Sequence, residues 1–384
     1  MQTETRVVLA GGGTAGHIFP GLAVAEELLS RGVPQSDIHF ATSKVGVGAD
    51  AVQRAGFSHT TLSGRGIQRS LHPRAILANL AASTKLTWGT LQALKLLRRV
   101  RPNIVLCLGG YVSVSAGAAA RVLRIPVVVA EQNAVPGWAN KVVSRYAKAA
   151  AVSFEGTNLP RSRHTGNPVR KEILEAVVSK AENHSTVNHS TVNHQAENGE
   201  TTENASFKVL ILGGSLGAGH INEAVREAFP YWRERDDISI LHITGQRDWE
   251  EFEPLVGQAA REHVPYAALP FADNIAELLV KVDLVIGRSG AGIVAELAVM
   301  GKPSLLIPLP EAPGDHQTAN AQALGDGAVV IPQAEFDGER LAKEIDRFAS
   351  NPELVKTMAD AAFAHARPLA AKAVADLLQE FARG

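Results

Sequence analysis

Short apolar runs that end in glycine-rich turns recur along this 384-residue chain. Arg6–Ala10 reads RVVLA and stops at Gly11-Gly12-Gly13-Thr14-Ala15-Gly16-His17. Apolar positions at Leu22, Ala25, Leu28 and Leu29 follow, spaced for one helix face, up to Gly32. The pattern returns at Lys208–Leu212 (KVLIL), with the turn Gly213-Gly214-Ser215-Leu216-Gly217-Ala218 and a helix through Ile221 and Val225. Each is a strand, a glycine turn and a helix, the opening unit of a doubly wound parallel sheet. More strands are predicted over Asp37–Ala41, Asn103–Leu108, Pro126–Ala130, Ser239–Thr244, Asp283–Gly287 and Pro303–Pro308, and a helix over Ala291–Met300. Runs this continuously apolar suit strands with helices on both faces. The expected fold class is therefore α/β, with two Rossmann-like doubly wound domains facing a cleft.

Between the two halves lies NHSTVNHSTVNH at 183–194, a five-residue tandem repeat, inside a segment with little apolar content. It reads as a disordered linker or insertion at 180–206. Its histidines, His184, His189 and His194, come with no acidic or cysteine ligand set and no helical context and are not expected to bind metal. The expected organisation is an N-terminal domain over 1–179, the linker at 180–206, a C-terminal domain over 207–366, and a terminal helix at 367–384 packing back on the N-terminal domain.

Composition narrows the class. Aromatic residues make up only 5% of the chain while glycine is abundant, which favours tightly packed α/β layers over a β-sandwich. Cys107 has no second cysteine to pair with, so a reducing compartment is expected. No signal peptide is expected at the start, and no apolar run is long enough to span a bilayer. The net charge of −1 hides a polarity: residues 1–178 carry 21 Lys and Arg against 9 Asp and Glu, and the remainder reverses the balance. A basic half suits either an anionic partner, such as phosphates or a membrane surface, or a neighbouring domain of complementary charge. Ser63–Arg101 mixes Arg65, Arg69, Arg74, Lys85, Arg98, Arg99 and Arg101 with Ile67, Leu71, Ile76, Leu77, Leu80, Leu86 and Trp88. That stretch suits either a peripheral contact with an anionic membrane or an ordinary amphipathic helix. No nucleic-acid partner is expected.

Ligands of open α/β sheets sit beyond the carboxyl ends of the strands, so the chemistry is sought there. Glycine turns at helix N-termini offer backbone N–H groups and a positive dipole end to a diphosphate, and residues 11–17, 213–219 and 287–292 are three such turns. The first fits GxGxxG, but the second strand ends in Thr42-Ser43-Lys44 without the acid a dinucleotide enzyme needs, which argues against an oxidoreductase. A P-loop is absent. No Asp-x-Asp occurs, so a metal clamp on a nucleotide-sugar is disfavoured, and dipoles and arginines would stabilise a departing diphosphate. Glu296, one to two turns into the helix after Arg288-Ser289-Gly290, suits a ribose diol. His17, beside the first turn, suits a general base for a sugar hydroxyl. Gln317 and Asn320, in an expected irregular loop at 308–320 that also holds Asp315 and His316, suit sugar hydroxyls.

Seven segments taken in order resemble the MurG family of bacterial glycosyltransferases, glycosyltransferase family 28. They are GGGTAGHIFPGLAVAEEL, GGYVS, AEQNAVPGWANK, GNPVR, GGSLGA, RSGAGIVAE and DHQTAN. The resemblance implies a two-domain GT-B fold and a UDP-GlcNAc-dependent hexosyltransferase. Its reaction would move GlcNAc, with inversion, from UDP-GlcNAc to O4 of MurNAc in undecaprenyl-diphospho-MurNAc-pentapeptide (lipid I), making lipid II for peptidoglycan. By the same resemblance, Thr14, Ala15 and Gly16 line the donor diphosphate and sugar, with Ala15 standing where the family has glycine. Asn133, Arg170 and Ser215 reach the sugar or phosphates, and Ala272 lies near the uracil. Arg288, Ala291, Gly292, Ile293, Val294, Ala295 and Glu296 form the diphosphate turn and ribose contact. Gln317 meets the GlcNAc hydroxyls. His17 is the candidate base, and Gly109, Gly110, Tyr111, Val112 and Ser113 are the acceptor loop. No cofactor or metal site is implied, a divalent cation being at most an accessory. The implied location is the cytoplasmic face of the inner membrane, as a peripheral protein near the wall-synthesis and division machinery. Two alternatives remain open: a GT-B enzyme with another lipid or small-molecule acceptor, and a UDP-sugar sensor without turnover.

Overall fold

The computed structural model describes residues 5–382 apart from 47, 64–72, 180–205, 214–217 and 273, and, of the helix that follows Ser63, only the backbone at 73–83 and 85. The tandem repeat with its histidines, Ser215, and the side chains of Ile76 and Leu80 therefore lie outside the described residues. The chain forms two compact units, 1–170 with 367–384, and 171–366.

In unit 1 the order along the chain is β1 (Val7–Gly11), α1 (Ala15–Ser30), β2 (Ile38–Ser43), α2 (Gly48–Arg54), β3 (Ser58–Leu62), α3 (Pro73–Val100), β4 (Ile104–Gly109), α4 (Gly110–Val122), β5 (Val127–Glu131), α5 (Trp138–Ser144), β6 (Ala149–Val152) and β7 (Ser162–His164). The seven strands lie in the order β3-β2-β1-β4-β5-β6-β7, and each neighbouring pair is parallel. Alternating side chains along each strand divide between two cores. Val7, Leu9, Phe40, Ile104 and Leu106 pack with Ile18, Val24 and Leu28 of α1. Val8, Ala10, Ala41, Val105 and Cys107 pack with Leu97, Val112, Ala116 and Val143 on the other face. Cys107 is inert there, its thiol pushed up to about 12 by burial.

The last helix, α14 (Ala370–Ala382), completes the first of those cores with Val374, Ala375 and Leu378. Arg31, at the end of α1, holds it through Asp376 (2.7 Å), Gln379 (2.9 Å) and the Lys372 carbonyl (3.0 Å). Arg163 of β7 adds a two-pronged pair with Glu380 at 2.6 and 2.9 Å.

Unit 2 opens with a helix over 171–179, α6. It continues with β8 (Phe207–Leu212), α7 (Gly219–Ala228), β9 (Ile238–Ile243), α8 (Trp249–Arg261), β10 (Tyr266–Leu269), α9 (Ile275–Lys281), β11 (Leu284–Gly287), α10 (Ala291–Met300), β12 (Ser304–Leu306), α11 (His316–Gln322), β13 (Ala328–Val330), α12 (Gly338–Ala349) and α13 (Pro352–Ala364). Its six-stranded sheet runs β10-β9-β8-β11-β12-β13, again all parallel. Val209, Ile211, Ile240, Ile286 and Leu305 face a core shared with Val225, Trp232, Leu341 and Phe348. Both sheets have their first strand flanked on its two sides by strands reached in opposite directions, and the carboxyl ends at that reversal are where a doubly wound fold leaves room for a ligand.

Candidate functional site

In unit 1 the relevant rim is the row of carboxyl ends of β1, β4, β5 and β6. The β1–β4 register shifts between Ala10 and Gly11, which brings Gly11 opposite Gly109. Helix α1 starts earlier than the apolar spacing alone implied: Thr14 is its N-cap, and Ala15, Gly16 and His17 form its first turn. His17 Nδ1 lies 3.1 Å from the Gly12 carbonyl and 3.1 Å from Thr14 Oγ1. A carbonyl only accepts, so Nδ1 carries the proton in the neutral ring and the basic lone pair falls on Nε2.

Gly109 and Gly110 lie against this turn. A methyl group on Gly109 would stand 2.7 Å from His17 Nε2, and one on Gly110 would stand 2.9 Å from the Gly12 carbonyl oxygen. Both have positive φ, 115° and 75°, open to glycine at little cost. The expected acceptor loop at 109–113 is not a loop: Gly109 ends β4, and Gly110 to Ser113 begin α4. Ser113 is fully buried, accepting from Gly109 N at 2.8 Å and donating to the Ala10 carbonyl at 2.6 Å, and Val112 packs in the core. These two side chains lock β4 to β1 and do not face outwards. Tyr111 remains half-buried, with its ring 6.3 Å from that of Trp138.

Glu131, at the end of β5, is almost fully buried and surrounded by N–H donors. Its Oε1 accepts from Asn133 N (3.0 Å) and Nδ2 (3.3 Å), and its Oε2 from Gly137 N (3.0 Å) and Asn140 Nδ2 (2.9 Å). Four charge-assisted bonds offset the desolvation of this carboxylate and fold the 132–137 segment around it. Asn133 is thereby fixed at the rim. Arg170 stacks its guanidinium 5.6 Å from the Phe19 ring centre, on the first-turn side of α1.

In unit 2 the chemistry gathers around the N-terminus of α10. Gly290 caps the helix with ordinary φ of −63°, and methyl groups on Gly290 or Gly292 would meet nothing within 4 Å. No neighbouring atom demands glycine at either place, so the first N–H groups of α10 are left open to an approaching group. Ala291 and Val294 are buried, Gly292, Ile293 and Ala295 are half-buried, and Glu296 is buried at 7% exposure rather than standing on the surface.

The arginine beside this turn has another task. Arg288 donates to the carbonyls of Ile307 (3.0 Å) and Pro308 (3.2 Å) and to Gln333 Oε1 (2.6 Å), and burial lowers its pKa. Its side chain ties strand ends together. The expected irregular loop at 308–320 is also corrected: a short turn at Pro313–Asp315 leads into α11. Asn320 is fully buried and donates to the Ser289 carbonyl at 3.2 Å, while Ser289 Oγ donates to the Gln317 carbonyl at 2.8 Å. Asn320 thus braces the turn instead of meeting a sugar. Gln317 stays half-buried with Oε1 accepting from Leu309 N at 3.0 Å. Ala272 is half-buried beyond β10.

Residues 7–152 match the glycosyltransferase family 28 N-terminal domain and residues 208–374 the family 28 C-terminal domain. The chain belongs to glycosyltransferase family 28. Relatives within it include the UDP-N-acetylglucosamine–N-acetylmuramyl-(pentapeptide) pyrophosphoryl-undecaprenol N-acetylglucosamine transferases of Desulforudis audaxviator and Trichlorobacter lovleyi. They are 35% and 36% identical, and the matches cover 98% of this chain and 98% of each relative. The crystal structure of Acinetobacter baumannii MurG superposes with a TM-score of 0.73 at 29% identity, covering 98% of this chain and 99% of that one. A Neisseria meningitidis UDP-GlcNAc 2-epimerase bound to UDP-GlcNAc shares the fold at 14% identity and a TM-score of 0.64, over 97% of this chain and all of that one.

Seen as a family 28 protein, the chain brings Thr14, Ala15, Gly16, His17, Gly109, Gly110 and Asn133 to one sheet rim, and 290–296 with Gln317 to one helix terminus. Glu131, Asn140 and Gln333 were not singled out from the sequence. Glu131 had a readable signal, a carboxylate closing the fully apolar PVVVA run, whereas the partners of Arg288 and Asn140 depend on the fold. Among the described residues no group of three or more His, Cys, Asp or Glu is placed to hold a metal ion, and no helix is long and apolar enough to cross a membrane.

Proposed function

We propose that this family 28 enzyme transfers GlcNAc from UDP-GlcNAc to the C4 hydroxyl of the MurNAc unit of undecaprenyl-diphospho-MurNAc-pentapeptide. The observation that carries the reading is full-length similarity, at about 35% identity, to enzymes named for that transfer. The C4 hydroxyl gives its proton to His17 Nε2 as its oxygen bonds to the anomeric carbon. The bond from that carbon to the β-phosphate oxygen breaks with its electron pair, UDP departs, and the configuration inverts. The Gly12 carbonyl keeps the His17 lone pair on the attacking side.

The donor diphosphate is assigned to the open turn at Gly290 and Gly292, where the first N–H groups of α10 meet developing negative charge. Glu296 is assigned to the ribose, Ala272 to the uracil edge, Gln317 to the GlcNAc hydroxyls, and Thr14–Gly16, Asn133, Arg170 and Ser215 to the sugar and phosphates. Gly109–Tyr111 bear on the acceptor. The lipid-linked acceptor would bring the protein to the cytoplasmic face of the inner membrane, as a peripheral enzyme beside the wall-synthesis machinery. A divalent cation would be an accessory, so a chelator should leave most of the rate.

UDP release from UDP-GlcNAc, measured with and without a short-chain lipid-linked acceptor, tests the reading. Acceptor-dependent release with a new disaccharide is expected, and release indifferent to the acceptor would refute it. His17→Ala should lower kcat by at least about 100-fold with UDP affinity unchanged.

A further inference from the structure

Unit 1 has a groove of about 580 Å³ at the carboxyl ends of β6 and β7, lined among others by Glu155, Thr157, Asn158, Ser162 and His164. None of these residues is used in the transfer described above. The groove continues the reactive rim. Ser153, at its edge, bonds to the Glu131 carbonyl through both N (3.0 Å) and Oγ (3.0 Å), and Thr157 Oγ1 donates to the Ala134 carbonyl at 3.4 Å. The loop that forms it therefore leans directly on the loop that holds Asn133.

Its lining suits a polar chain that carries a positive charge. Glu155 is 79% exposed, and its partners are loose: His164 Nδ1 at 3.4 Å and Arg367 Nη2 at 3.9 Å. Exposed pairs at such distances contribute little and yield readily to an incoming cation. Asn158 and Ser162 are exposed beside it and can meet peptide N–H and C=O groups.

The reach also fits. His17 stands at the end of β1, and β4, β5 and β6 follow in sheet order, so the groove lies three strand spacings away, about 14 Å. Five extended residues span about 17 Å. We propose that this groove seats the peptide stem of the acceptor, with Glu155 receiving a side-chain ammonium of that peptide. This rests on the acceptor named in the proposed function.

The test compares three short-chain lipid-linked acceptors: the pentapeptide with a free side-chain ammonium, the same peptide with that amine acetylated, and the sugar without peptide. Each is assayed with the unaltered enzyme and with Glu155→Gln. The unaltered enzyme should show its lowest KM with the free-ammonium peptide. Glu155→Gln should raise that KM about threefold to fivefold. It should leave kcat, the donor KM and both other acceptors unchanged. Equal KM values for all three acceptors in the unaltered enzyme would overturn the proposal, as would a loss in Glu155→Gln that is the same for every acceptor, which marks a merely structural role. Turnover of the peptide-free acceptor separates the two readings. If it persists while peptide selectivity is missing, the groove proposal fails and the transfer stands; if no acceptor is used, the transfer itself fails.

Discussion

Replacing Gly109 with alanine probes the link between the β4 terminus and the His17 imidazole proposed as the base. Gly109 has φ 115° and ψ 172°, a region essentially reserved for glycine, and holding alanine there costs about 1–3 kcal/mol. In a unit of this size that lowers Tm by about 2–12 °C. The new methyl group would also start 2.7 Å from His17 Nε2 and 2.8 Å from Cδ2, where ordinary contact begins at 3.4 Å. The imidazole must yield by about 0.7 Å, and the 3.1 Å bond from Nδ1 to the Gly12 carbonyl goes with it. Displacements of that order at a reacting group cost up to about 100-fold in rate. Steady-state kinetics with a short-chain acceptor, calorimetric melting and UDP titration together read the outcome. The expected result is a large fall in kcat, a lower Tm and unchanged UDP affinity. A lowered Tm with kcat within about twofold of the parent would show that the imidazole position is irrelevant to the chemistry, and the argument for His17 would collapse.

Gly292→Ala should behave in the opposite sense: with helical backbone and open space around it, the fold gains up to about 1 kcal/mol, while KM for UDP-GlcNAc rises severalfold because the methyl occupies the cradle. Unaltered donor KM would remove the diphosphate from that turn. Burial lowers His39 in unit 1 to about 4 and His242 in unit 2 to about 3. Both are neutral when folded and take up protons on unfolding, so their contribution is complete above the unfolded value near 6.5 and is lost as pH falls below it, by about 1.4 kcal/mol per pH unit each. Melting from pH 7 to pH 5 should show this decline, and His242→Gln should flatten it for unit 2; an unchanged slope in that variant would contradict the assignment. Ending the chain after Ala366 removes Val374, Ala375 and Leu378 from a core of unit 1. The shortened protein should bind hydrophobic dye and aggregate, and a melting profile like that of the full chain would show that α14 is dispensable.

Much of the architecture was legible without coordinates. Strand, glycine turn and helix alternate with periods that depend on local side-chain direction, and positive φ at Gly13 selects glycine through its own backbone, so the two doubly wound units could be read from Arg6–His17 and Lys208–Leu212 and the first turn from Gly11–His17. The residue types at the strand ends likewise pointed to His17 and to the turn before α10. What the tertiary structure decided were the partners. Ser113 reads as an ordinary serine of an acceptor loop until β1 and β4 are side by side and its hydroxyl bridges them. Arg288 reads as a phosphate ligand until the ends of β12 and β13 offer it carbonyls and Gln333. Asn320 reads as a sugar contact until α11 forms and turns it inward to Ser289. Each of these side chains carries donors that must be satisfied once buried, and the groups that satisfy them are brought close only by strands and helices distant in the chain. Local pattern determined which elements form and which polar residues stand at the strand ends; the packing of those elements determined which of those side chains are consumed by internal partners.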